Sequence, residues 1–404
     1  MTTAPPSITS SRPPADQVGA IAWLRKNLFN SWFNSLLTVI LGLLLVRSLF
    51  GFLSWATTTA KWAVIPANLP LFFVGRYPVA QYWRIWVIIG LLAVLSGLSW
   101  GILSRNMAKL FDRNILMAFG IAAAIAVLAP TPVPFRILLV GVLGLVLASS
   151  WMGRIVGRRM PQLGQWLSLG WGLSLLVVWW LIAGGIGLPG VKTNDWGGLL
   201  LTMFMSVSSI LLCFPLGILL ALGRQSSLPA LRWISITFIE VIRGVPLITL
   251  LFVGAYMVPL FLPPGIRFNQ LLLAIISLTL FSAAYLAENV RGGLQSVPRG
   301  QTEAANALGL NSVLATILIV LPQALKVSIP TIVGQFISLV QDTTLVGLLG
   351  AFEMLGISRS VLANPAFIGR YAEVYLFIGA IYWILCYAMS QGSRRLEKQL
   401  NTTH

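Results

Sequence analysis

Two short stretches of this chain place a carboxylate and a guanidinium three residues apart and follow them with glycine: Glu240-Val-Ile-Arg243-Gly244 and Glu288-Asn-Val-Arg291-Gly292. Residues at that spacing share one face of a helix, so each Glu can hold its Arg. The chemistry on offer is ion pairing, not covalent catalysis. Such pairs either neutralise charge near a membrane surface or hold hinge points. Gly244 and Pro246 interrupt the helix after the first pair, while Gly292, Gly293 and Pro298 interrupt the chain after the second.

The second pair opens the polar stretch Glu288 to Pro322, an island in a very apolar half of the chain. Within it, Thr302 is placed to cap a helix from Glu303 to Leu308, and Gly309 is the residue a helix needs just past its end. About one and a half turns are marginal alone in water. Ala304, Ala305 and Leu308 offer a small apolar face, so the stretch reads as a connector to a partner.

Other chemistries find no residues to carry them. The one histidine, His404, is the last residue, which removes zinc-protease and histidine-dependent catalysis. Ser99, in Gly97-Leu-Ser-Trp-Gly101, has no internal histidine or matched lysine to activate it as an intramembrane protease nucleophile. There is no Gly-x-x-x-x-Gly-Lys-Ser/Thr loop, so any ATP used is hydrolysed by another chain. Cys213 and Cys386 fall inside apolar runs and read as small core residues. No metal or other cofactor is expected on this chain.

The elements that must position these residues are membrane helices. Hydrophobic residues make up 57% of the 404 and charged ones only 9%, and mean hydropathy is +0.87. Apolar runs of roughly 18 residues or more indicate helices and not a barrel. Spans are expected near Trp32 to Leu53, Arg84 to Leu103, Ile115 to Leu128, Phe135 to Trp151, Trp166 to Leu188, Trp196 to Leu222, Trp233 to Leu262, Gln270 to Asn289, Val313 to Val340 and Tyr371 to Ser390, about ten in all. The third and fourth are short and joined by Ala-Pro-Thr-Pro-Val-Pro, which also suits a re-entrant pair.

With the N-terminus inside, clusters such as Arg154, Arg158 and Arg159, or Arg394, Arg395 and Lys398, fall on the cytoplasmic side. Lys109 joins them, and only Lys61, Arg76, Lys192, Arg267, Arg359 and Arg370 lie outside. That asymmetry predicts cytoplasmic N- and C-termini and a cytoplasmic Glu288 to Gly309 loop. The net charge of +17 is then explained by topology and by anionic lipid headgroups, without nucleic acid.

Residues 1–30 read as a cytoplasmic tail, disordered over its Pro-, Ser- and Thr-rich first part and without a cleavable signal. Residues 31–190 read as an N-terminal extension of about five spans, and residues 394–404 as a C-terminal tail. Composition shifts near Pro189 to Asp195. Beyond it Glu240, Arg243, Glu288, Arg291, Lys326 and Asp342 lie within or at the ends of apolar runs, where ionisable groups are costly unless paired or functional.

Glu303-Ala304-Ala305-Asn-Ala-Leu-Gly309, with Leu321-Pro322 further on, resembles the signature loop of importer permeases of the ATP-binding-cassette superfamily. Glu240 to Leu247, Ala284-Tyr285, Ser296-Val-Pro298-Arg-Gly-Gln301, Leu321-Pro-Gln323-Ala and Asp342-Thr-Thr344-Leu-Val are similar to the polar amino acid branch, which includes the histidine, glutamine and general L-amino acid permeases. The resemblance covers about residues 195–393. Asn30-Ser-Trp-Phe-Asn-Ser35 and the long first half look like the longer general L-amino acid subunits. The chain departs from the pattern at Gln341, where a Lys commonly precedes the Asp-Thr-Ser/Thr-Leu run.

The resemblance implies an all-α polytopic membrane protein with a type I importer core of five helices in its C-terminal half. It implies a bacterial inner-membrane location, a second related permease subunit forming a heterodimer, two ATPase subunits that bind ATP and magnesium, and a periplasmic amino-acid-binding protein. In that frame the loop 291–312 couples to the ATPase through Arg299, Gln301, Glu303, Ala304, Ala305 and Gly309. A zwitterionic substrate needs partners for its ammonium and carboxylate near a broken helix. The candidates are Thr249, Tyr256, Gln335, Gln341, Asp342 and Thr343, with Asp342 the expected ammonium partner. A secondary transporter or channel acting without an ATPase is the competing expectation.

Overall fold

The computed structural model describes residues 19–106, 110–128, 131–160, 162–263, 265–266 and 268–401. The expected tail before Gly19, Lys109, Arg267 and residues 402–404 lie outside the described residues, as does the side chain of Lys398. The described residues form two compact units that divide at Trp62. The first contains α1 (Ala20–Asn27) and α2 (Trp32–Ser54), the latter continued by a π turn Trp55–Thr59. Ser31 caps α2 by accepting from the Asn34 amide at 3.2 Å. Apolar and exposed on every turn within its unit, α2 has the surface of a helix solvated by lipid.

In the second unit α3 (Val64–Ala67) and α4 (Leu69–Val74) lead into α5 (Tyr82–Leu103), α6 (Arg113–Leu128), α7 (Val133–Arg159) and α8 (Leu163–Ala183). Small residues let α5 and α7 approach closely. A Cβ on Gly101 would overlap the Ser150 carbonyl, and one on Gly153 would lie 2.7 Å from that of Leu98. Ser99 accepts from Trp171 Nε1 at 3.1 Å, tying α5 to α8. The end of α8 is held by Tyr77, whose hydroxyl donates to Ile182 O at 2.9 Å, and the loop after it by the fully buried Arg84, which donates to Pro189 O at 2.9 Å.

Then follow α9 (Gly198–Arg224), α10 (Pro229–Gly244), α11 (Leu247–Phe252), α12 (Gln270–Ser296), α13 (Arg299–Ala307), α14 (Ser312–Ala315), α15 (Leu321–Asp342), α16 (Met354–Leu362) and α17 (Tyr371–Asn401). Helix α12 is the central rod, packed against α9 and α15 through Cys213, Ala283, Leu286, Ala287, Val290 and Ala324. Among the described residues eight helices are long and apolar enough to cross a membrane, and Pro229–Gly244 with Leu247–Phe261 form an apolar pair of that length bent by 105°, the geometry of a broken span or a re-entrant loop. The short apolar helix Ile115–Leu128 accounts for the remaining expected segment.

The bend falls at Val245-Pro246, where Gly244 and Pro246 led us to expect an interruption. The second expected interruption is displaced. Helix α12 runs unbroken through Gly292 and Gly293 to Ser296, because Gly293 is used for contact: a Cβ there would overlap Ser328 and Ala324. The compact units divide at Trp62, so residues 63–190 pack with the C-terminal half despite the shift in composition near Pro189.

Candidate functional site

At one end of α9, α10 and α12 the two Glu-x-x-Arg motifs meet. Arg224, at the end of α9, places Nη1 2.9 Å from Glu240 Oε1 and 2.7 Å from Glu288 Oε1. Arg291 Nε and Nη2 both reach Glu288 Oε2, at 2.8 and 2.7 Å. Arg243 stands 3.9 Å from Glu288 Oε1, with its guanidinium 5.2 Å from the Tyr285 ring centre. Glu288 is thus the hub of three arginines. Glu240 and Arg243, expected to pair with each other, instead turn to Arg224 and to Glu288. Arg224 was legible only as a basic residue ending a span, since its partners lie far away in sequence.

The node adjoins the connector. Helix α13 begins at Arg299, earlier than expected, because Pro298 fits the position before a first helical turn; Thr302 lies inside the helix and caps nothing. Ala305 is buried against the rest of the chain, whereas Glu303, Ala304 and Arg299 are exposed and Leu308 is 82% exposed. The expected apolar face is therefore split, with Ala305 seating the helix and Ala304 and Leu308 presented outward. Gln301 accepts from Gln323 Nε2 at 3.2 Å, linking α13 to the start of α15. Gly309 ends the helix at φ 81°, as its position demands.

The opposite ends of α9 and α12 border a cavity of about 710 Å³. Arg76, Lys192, Asn194, Asp195, Asn269 and Gln270 contribute its polar walls. Tyr256 sits at its edge: its hydroxyl donates to Leu349 O at 3.4 Å, and Gln270 Nε2 donates to the same carbonyl at 2.9 Å. The other expected substrate residues are dispersed. Thr249 is exposed on α11, and Gln335 is half-buried on α15. Gln341 Nε2 lies 3.7 Å from Cys386 Sγ. Thr343 is fully buried and its hydroxyl donates to Val340 O at 2.7 Å. Asp342 is half-buried at the end of α15 and forms no ion pair with the described residues.

Near the cavity lies Glu353, which sequence reasoning passed over although it immediately precedes α16. Fully buried, it accepts from the Leu355 and Gly356 amides at 2.7 Å each, while the Thr202 hydroxyl receives the Met354 amide at 3.1 Å. Burial pushes the Glu353 carboxyl up to about 7, against the lowering effects of those two amides and of Arg359.

A polytopic helical unit with a short helix set between two spans defines a class of membrane subunit. Residues 213–402 match the family of binding-protein-dependent transport system inner membrane components, and the chain belongs to that family. It is 39% identical to the glutamate/glutamine/aspartate/asparagine transport system permease protein BztC of Rhodobacter capsulatus, over 97% of this chain and 96% of that one. With the inner membrane amino-acid ABC transporter permease protein YhdY of Escherichia coli it shares 37% identity, covering 95% and 94%. The probable glutamine ABC transporter permease protein GlnP of Bacillus subtilis is 33% identical and takes up 50% of this chain against 91% of its own. The long first half is therefore shared with full-length permeases of the family, while a half-length form also exists.

Proposed function

We propose that this chain is a pore-forming permease subunit of an ATP-driven, binding-protein-dependent importer of L-amino acids in a bacterial inner membrane. The observation that carries the reading is α13: a nine-residue helix seated by Ala305, held to α15 through Gln301 and Gln323, and presenting Glu303, Ala304 and Leu308 outward next to the Glu288 node. On this reading it lodges in a groove of a partner ATPase, which binds ATP and magnesium. A rigid helix between two spans converts closure of the ATPases into rigid-body movement of those spans, which is a route to alternating access.

The pore is completed by a second, related permease, with two ATPase subunits below and a periplasmic amino-acid-binding protein above. Both termini are cytoplasmic. Amino acid specificity is supported by the two amino acid permeases that the chain matches over nearly its whole length. Asp342, a carboxylate without a basic partner among the described residues, is the ammonium acceptor.

The test is purification of the chain from solubilised membranes, identification of its co-purifying subunits, and amino acid uptake with and without ATP. Recovery of an ATPase and a second permease with ATP-dependent uptake is the expected result. Uptake by the purified chain alone would overturn the reading in favour of a secondary transporter or channel.

A further inference from the structure

The cavity opposite α13 joins two parts of the chain that differ in kind. Asn269, Gln270, Leu349 and Phe352 come from the C-terminal half, whereas Arg76 and Lys192 come from the region 63–192 that precedes the family match. The Arg76 guanidinium is held in place, and the loop that carries Lys192 is anchored. Arg76 lies over the Phe352 ring, its guanidinium 4.2 Å from the centre. The Tyr77 bond to Ile182 O fixes the residue next to Arg76, and the Arg84 bond to Pro189 O fixes the loop that carries Lys192. Across the cavity, Asn269 Nδ2 donates to Thr193 Oγ1 at 2.7 Å, joining the two parts at its rim.

The charges do not cancel. Arg76 and Lys192 face one carboxylate, Asp195, so the polar wall carries a surplus positive charge among the amides Asn194, Asn269 and Gln270. A zwitterionic amino acid would use one cation for its α-carboxylate and Asp195 for its ammonium. The second cation then has no counter-charge unless the ligand brings another carboxylate. The cavity is also roomy enough for a small ligand. At the far end of α9 and α12, both of 27 residues and so about 40 Å long, lie the Glu288 node and α13. The cavity is thus the mouth remote from the ATPase contact.

We propose that this mouth is an entry site selective for dicarboxylic amino acids, in which Arg76 and Lys192 of the N-terminal region receive the carboxylates and Asp195 the ammonium. This rests on the importer reading above. A focused positive site raises local anion concentration and sets specificity more than raw affinity, so its effect falls on which amino acids are passed into the pore.

The test uses cells expressing the chain with its partner subunits, uptake being normalised to the amount of chain in the membrane. Radiolabelled glutamate, glutamine and arginine are each supplied well below saturation, where capture limits the rate. The double variant R76E/K192E is expected to lower glutamate uptake on the order of tenfold relative to glutamine, leaving arginine unchanged or raised. Lys192→Ala alone, at an exposed loop position, is expected to shift the glutamate-to-glutamine ratio about threefold in the same direction and serves if the double variant fails to assemble.

An equal loss for all three amino acids would overturn the proposal, because the cavity would then serve docking or folding. An unchanged ratio, or a wild type that imports glutamine but not glutamate, would overturn it as well. A wild type that imports no amino acid would instead refute the importer reading.

Discussion

Removing Arg224 tests whether one guanidinium joins α9, α10 and α12 as a unit. Glu288 Oε2 keeps Arg291 on two nitrogens, but Oε1 loses its short partner, since Arg243 is 3.9 Å away. The side chains of Arg224 and Glu288 are 24% and 15% exposed, whereas that of Glu240 is 55% exposed. A charge-assisted bond that is largely desolvated contributes roughly 1.5–3 kcal/mol. Discounting for the remaining solvent gives about 2 kcal/mol for the Arg224–Glu288 pair. The more exposed Arg224–Glu240 pair is expected below about 1 kcal/mol. Double-mutant cycles with Arg224→Met, Glu288→Gln and Glu240→Gln, read by denaturant titration of the purified chain in mixed micelles, separate the two couplings. A Glu288 coupling no larger than that of Glu240, or smaller than about 0.5 kcal/mol, would refute the hub.

At Gly309 the backbone is left-handed and a Cβ would meet nothing within 4 Å. Gly309→Val therefore costs about 1–2 kcal/mol through the backbone alone and lowers uptake, whereas Gly309→Asn is tolerated; equal defects in uptake per chain in the membrane would contradict this. At the α5–α7 seam, Gly101→Leu drives a side chain into the Ser150 carbonyl, an overpacking of about 3 kcal/mol that reduces accumulation in membranes. Gly120→Leu, at an open position on α6, should accumulate normally, which immunoblotting checks.

Glu353 titrates near 7 in the fold, above its ordinary 4.5. Its raised value favours the folded state below about pH 4.5, and that advantage is lost as pH rises through 7. Between pH 4.5 and pH 8 the stability difference between Glu353→Gln and wild type should move about 3 kcal/mol in favour of the variant. A pH-independent difference would show that the carboxyl titrates in the fold as it does in the unfolded chain.

The spans were legible because apolar runs long enough for a bilayer leave few other options, and the position of Gly309 followed from helix termination alone. The start of α13 was misread because Thr302 has the chemistry of a cap, yet Pro298 already satisfies the geometry of a helix start without any side-chain acceptor. Gly292 and Gly293 looked like breakers, since sequence displays the flexibility of glycine and hides the neighbour, Ser328, that demands its small size. Arg224 and Arg76 were visible only as topological charges. Their roles come from partners 16 to 276 positions away, a separation at which local pattern carries no information.

The continuity of α12 has a mechanical consequence. With no joint at Gly292–Gly293, its two ends cannot move independently: the end that carries Glu288 and Arg291 and the end capped by Asn269 are one stiff body. A rotation of about 10° about the middle of a rod roughly 40 Å long displaces each end by about 3.5 Å in opposite directions. That is comparable to the width of a methylene chain. On the importer reading, a pull on the connector would be felt at the remote mouth with the opposite sign, narrowing one end and widening the other by leverage, without any signal having to pass from residue to residue.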